Sequence, residues 1–219
     1  MDLFDAFPSL RQSPSLEEKK VRLLSVSTIV RDEEAVYFEI RSPRYWGTRD
    51  DGTRTVGVGA VGGSIAKDES VVDCMHREVK AKLGARARLQ LSEQTALIDG
   101  DEVVDRVSIV PSKKRPSPLM ILLYPPRLGG PGMPDRVAVV VLEATLQDAV
   151  VPRGVFGVLR VESSALHEFL AEDESAVESV EAHPDLALVV KGDLPEDSVL
   201  RPVLAIKALR NRNRQLEDE

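Results

Sequence analysis

The sequence has little of the residue types on which several common kinds of protein site depend. Cys74 is the only cysteine, which excludes an internal disulfide and a zinc site built from clustered cysteines. The histidines, at positions 76, 167 and 183, lie far apart and show no metal-binding spacing such as His-x-x-x-His. The sequence therefore fits a reducing compartment and offers neither a cysteine-based nor a histidine-based metal site.

The sequence also lacks an excess of positive charge and any long apolar run. Lys and Arg total 29 against 36 for Asp and Glu, a net charge of -7, which argues against general binding to nucleic acid or to an anionic membrane. No apolar run reaches the length needed to span a membrane, and the opening segment, MDLFDAFPSL, is acidic where a signal peptide would be basic. We therefore expect a soluble, cytoplasmic protein.

The chain is long enough to bury one substantial core, since 42% of its 219 residues are apolar. Residues 1–20 contain prolines, serines and the charged segment LEEKK without a lasting period, which predicts a loosely held N-terminal arm outside the core. Residues 21–219 are predicted to form a single domain. The sequence contains no internal repeat.

Strand-forming residues dominate the first part of this domain. VRLLSVSTIV (21–30) and AVYFEIRS (35–42) are rich in β-branched and aromatic residues, and the polar RDEE between them suits a hairpin. RTVGVGAV (54–61) predicts a further strand that runs into Gly62 and Gly63. We expect a turn at this glycine pair, because glycine tolerates backbone conformations that other residues resist.

A helix is predicted between Asp68 and Gly84, because apolar residues recur there at spacings of three and four. Asp68 is the predicted N-cap and Gly84 the predicted C-terminal stop. The residues of the apolar stripe are Val72, Met75, Val79 and Leu83.

The rest of the chain is predicted to contain strands first and helices last. The predicted strands are ARLQLSEQTAL, DRVSIVPS, LMILLYPP and RVAVVVLEATL, with polar loops at 113–118 and 127–135. The predicted helices are SALHEFLAE, SAVESVEAH and a final helix that begins near Asp197 and carries Pro202 in its first turns. Strands followed by helices indicate the α+β class.

The segment from Gly63 to Ala85 resembles the signature of the Nudix hydrolase superfamily. Gly63, Glu69, Arg77, Glu78 and Gly84 occur in the register of that signature, and Val79 is the aliphatic residue after the Arg-Glu pair. The resemblance implies a Nudix-like α/β/α sandwich with a mixed β-sheet, here with additional C-terminal helices. It also implies Mg²⁺ or Mn²⁺ held by glutamates against the pyrophosphate of a nucleoside diphosphate-linked substrate.

This signature is degenerate at two positions. By the resemblance, Glu69 and Glu78 are metal ligands, Glu78 is the catalytic carboxylate and Arg77 orients the box, but Ala81 and Lys82 stand where a Glu-Glu pair belongs. Hard divalent cations need several oxygen ligands, so the site is incomplete, and the positive charge of Lys82 opposes a metal ion. Glu78 and Lys82 are four residues apart and are predicted to form an exposed ion pair on a solvated face.

Residues 41–52, RSPRYWGTRDDG, follow a predicted strand and combine arginines with the only tryptophan. Arginines suit phosphates, and an aromatic ring suits stacking on a base. Arg41, Arg44 and Trp46 are therefore candidate ligand-binding residues, together with Gly62 and Gly63. The alternative for Trp46 is that its ring covers the edge of the core.

Two functions follow from these observations. The first is a Nudix hydrolase-like protein that binds a nucleotide-type small molecule or a protein partner with weak or no hydrolysis. The alternative is an active, metal-dependent pyrophosphohydrolase that uses Glu69, Glu78 and acids from outside the box. The candidate acids are Glu102, Asp105, Glu143 and Glu181. The resemblance also implies a homodimer as one alternative. The apolar segment 136–146 is the candidate for its interface. The sequence itself leaves the oligomeric state open.

Overall fold

The structure is a computed structural model, which describes residues 1–112, 115–126, 133–195 and 197–217; for residues 213–217 it describes the backbone alone. The predicted loops at 113–118 and 127–135 fall partly on residues outside this description.

Strands account for most of the regular structure. They are β1 (Val21–Arg31), β2 (Ala35–Ile40), β3 (Gly47–Thr48), β4 (Arg54–Gly59), β5 (Val61–Ser64), β6 (Ala87–Gln90), β7 (Thr95–Asp99), β8 (Glu102–Val107), β9 (Met120–Tyr124), β10 (Arg136–Leu146), β11 (Gly157–Glu162), β12 (Ser175–Ala176), β13 (Leu186–Val190) and β14 (Ser198–Pro202). The helices are α1 (Leu3–Ala6), α2 (Val71–Leu83), α3 (Leu166–Ala171), α4 (Val177–Ala182) and α5 (Ala205–Glu217), with short 3-10 helices at Pro8–Gln12, Pro14–Leu16 and Pro43–Tyr45.

The strands form a mixed sheet. Its main path runs β12-β14-β4-β2-β1-β10-β9-β7-β8, and β5, β6 and β11 branch from it by pairing with β1, β10 and β2. The pairs β1 with β10, β4 with β14 and β7 with β9 are parallel, while the remaining pairs are antiparallel. This arrangement confirms the predicted α+β class with a mixed sheet.

Helices cover both faces of this sheet. Along β10, Ala138, Val140 and Leu142 belong to one hydrophobic cluster, whereas Val139 and Val141 belong to the other. Alternate residues of a strand point to opposite faces, so the two clusters lie on the two sides of the sheet. The first cluster includes α1 and α2, and the second includes α3, α4 and α5.

The predicted hairpin is confirmed, since β1 and β2 pair antiparallel with Val30 opposite Tyr37. The predicted turn at Gly62 and Gly63 is wrong, because both residues lie inside β5, opposite Ser27 and Val26 of β1. A Cβ on Gly62 would overlap the backbone of Val26 and Ser27. Glycine is needed here for close approach of two strands rather than for a turn.

Helix α2 is confirmed, with a different N-cap. Ser70 caps it by accepting a hydrogen bond from the N–H of Asp73 at 3.1 Å, while Asp68 lies in the preceding loop with φ of 62°. Gly84 ends the helix in the left-handed conformation, φ 66°, as predicted. The helix packs against β1, β5 and β6.

The prediction that residues 1–20 lie outside the core is wrong. Leu3, Phe7, Leu10 and Leu16 are at most 2% exposed and belong to the same hydrophobic cluster as α2. Short helical turns place these apolar residues inward without a lasting period, because none of the turns is long enough to repeat one.

The predicted final helix is confirmed as α5, but its predicted start near Asp197 is wrong. Residues 198–202 form β14, which pairs parallel with β4 and places Pro202 beside Val58 at the strand end. Helix α5 begins later, at Ala205. The strands β11 and β13 were not predicted.

The segment predicted as a dimer interface, 136–146, forms β10 in the interior of the sheet. It is hydrogen-bonded to β1 along one side and to β6 and β9 along the other. Val140, Val141 and Leu142 are fully buried, so the middle of this segment packs inside the protein and is not accessible to a second copy. None of the helices in the described part of the chain has the length and apolarity needed to cross a membrane.

Candidate functional site

Helix α2 presents three of its charged side chains toward β5 and β2. Arg77, Glu78 and Lys82 lie within little more than one turn of the helix, so their side chains reach the same region. The caps at Ser70 and Gly84 fix both ends of this helix, and its buried stripe fixes its rotation against the sheet. The positions of the charged groups therefore follow from the packing of the helix.

Arg77 ties the loop before the helix to the helix itself. Its Nε and Nη2 donate to the two carboxylate oxygens of Glu69 at 2.7 and 2.9 Å, and Nη2 also donates to the carbonyl of Ser64 at 2.9 Å. Its Nη1 donates to Glu78 Oε1. One guanidinium thus holds the carboxylates of both Glu69 and Glu78.

Glu69 is held as a carboxylate. The hydrogen bonds from Arg77 lower its pKa from the ordinary 4.5 to about 2, against an opposing effect of burial, and the N–H of Ala66 adds a further hydrogen bond at 2.8 Å. The same pairing raises the pKa of the Arg77 guanidinium. Both oxygens of Glu69 thus already have cationic hydrogen-bond donors.

Glu78 is buried directly beneath Gly63. A Cβ on Gly63 would overlap the Glu78 carboxylate, so glycine makes room for this side chain where β5 passes over α2. The Glu78 side chain is 12% exposed, which contradicts the prediction of a solvated face. The physical reason is that β5 continues through the glycines and covers the helix.

Lys82 is partly buried between two carboxylates. Its Nζ donates to Glu39 Oε2 at 2.6 Å and to the carbonyl of Gly62, and lies 3.6 Å from Glu78 Oε2. The predicted pair between Glu78 and Lys82 therefore exists as an ion pair. It is not the exposed pair that was predicted, because the Lys82 side chain is only 17% exposed.

Glu39 is one of the site residues that sequence reasoning missed, as are Arg153 and Lys191 of the adjacent cleft. Glu39 lies in β2 between Phe38 and Ile40, which are fully buried on the opposite face of the sheet. Alternation along the strand puts Glu39 on the same side as Tyr37, which packs in the cluster containing α2. A single carboxylate inside an apolar strand was the signal that could have pointed to it.

The charged groups do not fit a divalent metal ion. Within the described residues, no group of three or more His, Cys, Asp and Glu side chains lies close enough together to hold one. Glu69 is paired with Arg77, and Glu78 is shared by Arg77 and Lys82. Of the candidate acids outside the box, Glu143 pairs with Arg31 at 3.2 Å and Asp105 accepts a hydrogen bond from Ser13, while Glu102 lies at the start of β8 and Glu181 lies in α4.

A cleft of about 810 Å³ opens beside this charged cluster. It is bounded by β1, β2, β5, the loop after β2 and the segment before β11. Among its described lining residues, the cationic ones are Arg41, Arg44, Lys82, Arg153 and Lys191, whereas Glu39 is the only acidic one. The cleft is thus strongly cationic in a chain whose net charge is -7.

The structure brings most of the predicted ligand-binding residues to this cleft. Arg41, Arg44, Gly62 and Gly63 line it. Trp46 does not appear in the lining; its ring packs edge-on against Phe156 with centroids 5.1 Å apart, and its indole N–H donates to the carbonyl of Arg41 at 2.7 Å. Trp46 therefore covers the edge of the core, the alternative left open by the sequence.

Tyr45 provides the exposed aromatic surface of the cleft. It lines the cleft and is 59% exposed, and the guanidinium carbon of Arg44 lies 4.7 Å from its ring centroid. A guanidinium over an aromatic ring is a favourable cation-π arrangement. The 3-10 turn Pro43–Tyr45 thus presents a cation and a flat ring side by side.

Cys74 packs in the core beside β5. Burial raises the pKa of its thiol to about 12, and its sulfur lies 3.7 Å from the carbonyl of Ser64. A thiol with so high a pKa is a poor nucleophile at neutral pH.

Comparisons with known proteins give similarities of fold. Neither protein-family models nor curated protein sequences match the chain. Among solved structures, a hydrolase of the Nudix family from Clostridium perfringens is 16% identical over 67% of this chain and 85% of that chain, with a TM-score of 0.39. The MutT protein from Bacillus halodurans is 14% identical over 66% and 71%, with a TM-score of 0.34.

The dihydroneopterin triphosphate pyrophosphohydrolase of E. coli is 15% identical over 64% of this chain and 79% of that chain, with a TM-score of 0.34. At these identities and TM-scores the similarity says nothing about activity. The chain has an α+β fold with a mixed sheet, and the chemistry of its cleft follows from its own residues.

Proposed function

We propose that this protein binds a nucleoside-diphosphate-type ligand in the cationic cleft and hydrolyses it weakly or not at all. The observation that supports this proposal is the position of Lys82, whose ammonium lies between Glu39 and Glu78 at the edge of that cleft. A lysine in this place adds positive charge that attracts an anionic ligand. It also forms ion pairs with the carboxylates that hydrolysis would need.

The charge of the cleft favours phosphate groups. Arg41, Arg44 and Arg153 line the cleft, and within the described residues none of the three forms an ion pair with a carboxylate. Arginine presents several donors in a planar fork that matches phosphate oxygens. Guanidinium groups without a carboxylate partner are therefore available for the phosphates of a ligand.

The exposed ring of Tyr45 favours a ligand that also carries an aromatic base. Arg44 lies against this ring, and both residues border the cleft. Stacking of a base on an aromatic ring contributes about 1–3 kcal/mol by substitution to alanine. A ligand with phosphates at the arginines and a base at Tyr45 would use both features.

The same cluster argues against efficient hydrolysis. Attack of water on a phosphorus needs a group that removes a proton or a metal ion that activates the water. Glu69 and Glu78 are paired with Arg77, and Glu39 and Glu78 lie against Lys82. Each carboxylate near the cleft thus has a cationic partner.

Binding can be measured by titration calorimetry with ADP and ADP-ribose in the presence of Mg²⁺. We expect Arg44→Ala to weaken binding on the order of tenfold, because it removes a phosphate donor and one support of the Tyr45 ring. Arg88→Ala is the matched control, since Arg88 is an exposed arginine of β6 that does not line the cleft. Equal affinities for the two variants, or the absence of binding to the unsubstituted protein, would contradict the proposal.

Hydrolysis can be measured by phosphate release from dinucleotides, nucleotide sugars and nucleoside triphosphates with Mg²⁺ or Mn²⁺. We expect turnover near the background of the uncatalysed reaction. Robust turnover that disappears in Glu78→Gln would instead support the active pyrophosphohydrolase. If neither ligand binding nor turnover is found, a protein partner remains as the function to test.

A further inference from the structure

The ammonium of Lys82 is enclosed by oxygen atoms in the manner of a bound cation. Glu39 Oε2 lies 2.6 Å from Nζ, the carbonyl of Gly62 accepts a second hydrogen bond, and Glu78 Oε2 lies at 3.6 Å. The three side chains are 12–19% exposed, so water screens these charges only in part. We call this cluster the lysine site; it consists of Lys82, Glu39, Glu78 and the Gly62 carbonyl.

The oxygens of the lysine site are of the kind that bind hard divalent cations. Two carboxylates and a backbone carbonyl are typical ligands of Mg²⁺ and Mn²⁺. A divalent ion among the same oxygens would lie within a few ångströms of Nζ and would be repelled by it. The ammonium and a metal ion are therefore alternative occupants of one position.

The remaining carboxylate of the box offers no second position for a metal ion. Both oxygens of Glu69 accept hydrogen bonds from Arg77, and the same guanidinium donates to Glu78. Arg77 and Lys82 together thus balance the charge of Glu39, Glu69 and Glu78 to within one unit. The need for a metal counter-charge at these carboxylates is thereby reduced to one unit.

We propose that Lys82 is a built-in cation that takes the place of a divalent metal ion in this cleft, so that the cleft binds its phosphate-bearing ligand without metal. An ammonium has three N–H donors, and within the described residues two of them are used at hydrogen-bond distance, by Glu39 and Gly62. Glu78 lies just beyond that distance. The third donor has no acceptor at hydrogen-bond distance among the described residues, and Lys82 lines the cleft in which the phosphate-bearing ligand would bind.

The metal-exclusion part of this proposal can be tested with Mn²⁺ alone, by electron paramagnetic resonance of free Mn²⁺ during titration. We expect the unsubstituted protein and Lys80→Ala to bind Mn²⁺ only weakly. Lys82→Met keeps much of the side-chain length but removes the charge, and we expect its affinity for Mn²⁺ to rise on the order of 100-fold. Lys80 is the matched control, because it is an exposed lysine of the same helix.

A double variant, Lys82→Met with Glu78→Gln, tests where the Mn²⁺ site gained by Lys82→Met lies. We expect the double variant to lose this Mn²⁺ site, because Glu78 is one of its ligands. Lys82→Gln provides a second uncharged variant, and circular dichroism identifies which variants are folded. The proposal is overturned if folded Lys82→Met and Lys82→Gln bind Mn²⁺ no better than the unsubstituted protein. It is also overturned if the double variant keeps the gained site, or if the unsubstituted protein already has a tight site that Glu78→Gln removes.

The second part of the proposal, that the cleft binds its ligand without metal, rests on the proposed function. It is tested separately by calorimetric titration of the protein with ADP, once in the presence of EDTA and once in the presence of Mg²⁺. We expect affinities that agree within about threefold under the two conditions, and a loss on the order of tenfold in Lys82→Met with EDTA. If ADP binds only in the presence of Mg²⁺, the proposal that the cleft binds its ligand without metal is overturned. Absence of ADP binding under both conditions would refute the proposed ligand, whereas the Mn²⁺ result would still decide whether Lys82 replaces a metal ion.

Discussion

Gly62 and Gly63 are adjacent, but each is required by a different neighbour. A Cβ on Gly62 would overlap backbone atoms of Val26 and Ser27, which cannot move away without disturbing β1. A Cβ on Gly63 would overlap the Glu78 carboxylate, the end of a side chain that can rotate. The first glycine therefore matters for the sheet and the second for the position of a charged group.

We therefore expect Gly62→Ala to lower the free energy of unfolding by about 3 kcal/mol and Gly63→Ala by about 1 kcal/mol. Gly192→Ala is the control, since its Cβ would make an ordinary contact with Phe156 at 3.6 Å, and we expect a change within about 0.5 kcal/mol. Urea denaturation measures all three. A smaller effect for Gly62→Ala than for Gly63→Ala would contradict this account of the strand pair.

The ion pair of Glu69 with Arg77 makes stability depend on pH. Hydrogen bonds from Arg77 lower the pKa of Glu69 from 4.5 to about 2 in the folded protein, so the pair stabilises the fold above pH 4.5. This stabilisation decreases as the pH falls from 4.5 toward about 2, because the unfolded chain takes up the proton first.

We expect the free energy of unfolding to decrease more over this pH range in the unsubstituted protein than in Glu69→Gln, which has no titrating group at this position. Urea denaturation from neutral pH down to about 2 measures the difference. Glu178→Gln, at a position in α4 that takes no part in the cluster, should retain the steeper pH dependence. Parallel curves for the unsubstituted protein and Glu69→Gln would show that the pair contributes nothing.

At the scale of elements, α2 was the most predictable part of the site. Its apolar stripe and its C-terminal glycine are local features, and a helix of this length needs little else to be recognised. Its start was misplaced by two residues, because both Asp68 and Ser70 are suitable N-cap residues. The choice between them depends on how the preceding loop leaves β5.

We expect Ser70→Ala to lower the free energy of unfolding by about 1 kcal/mol, since it removes the hydrogen bond to the N–H of Asp73. Asp68→Gly should change it by less than about 0.5 kcal/mol, because Asp68 is exposed and has a φ of 62° that glycine adopts readily. Thermal or urea denaturation compares the two variants. A larger loss for Asp68→Gly would place the cap at Asp68.

The elements missed or misassigned by sequence reasoning are stabilised by pairing with distant strands. β11 lies between β2 and β13, and β14 lies beside β4, which is more than a hundred residues away in the chain. Strand preference depends on such neighbours more than helix preference does. Local sequence alone therefore fits residues 198–202 equally well as the start of a helix or as a strand.

At the scale of the whole molecule, the N-terminal segment completes the cluster that supports α2. Leu3, Phe7, Leu10 and Leu16 pack in the same cluster as Met75 and Val79. The position of α2 thus depends on residues that lie more than fifty positions before it in the chain. Burial of large apolar side chains of this kind is a main source of stability.

We expect Phe7→Ala to lower the free energy of unfolding by about 3–5 kcal/mol, because Phe7 is 1% exposed and its removal leaves a cavity in this cluster. Val110→Ala is the control, since Val110 is 88% exposed, and should change it by less than about 0.5 kcal/mol. Urea denaturation measures both. A small effect of Phe7→Ala would support the loosely held arm predicted from the sequence.

The sequence by itself determined the α+β class, the hairpin of β1 and β2 and the helix α2. These features depend on local periodicity, capping and residue identity, which a single chain segment contains. Only the tertiary structure brought Glu39 to Lys82, buried Glu78 beneath Gly63 and placed the N-terminal segment in the core. The reason is that these contacts join residues far apart in the chain, and their geometry is fixed by strand pairing and by the packing of α2 against the sheet.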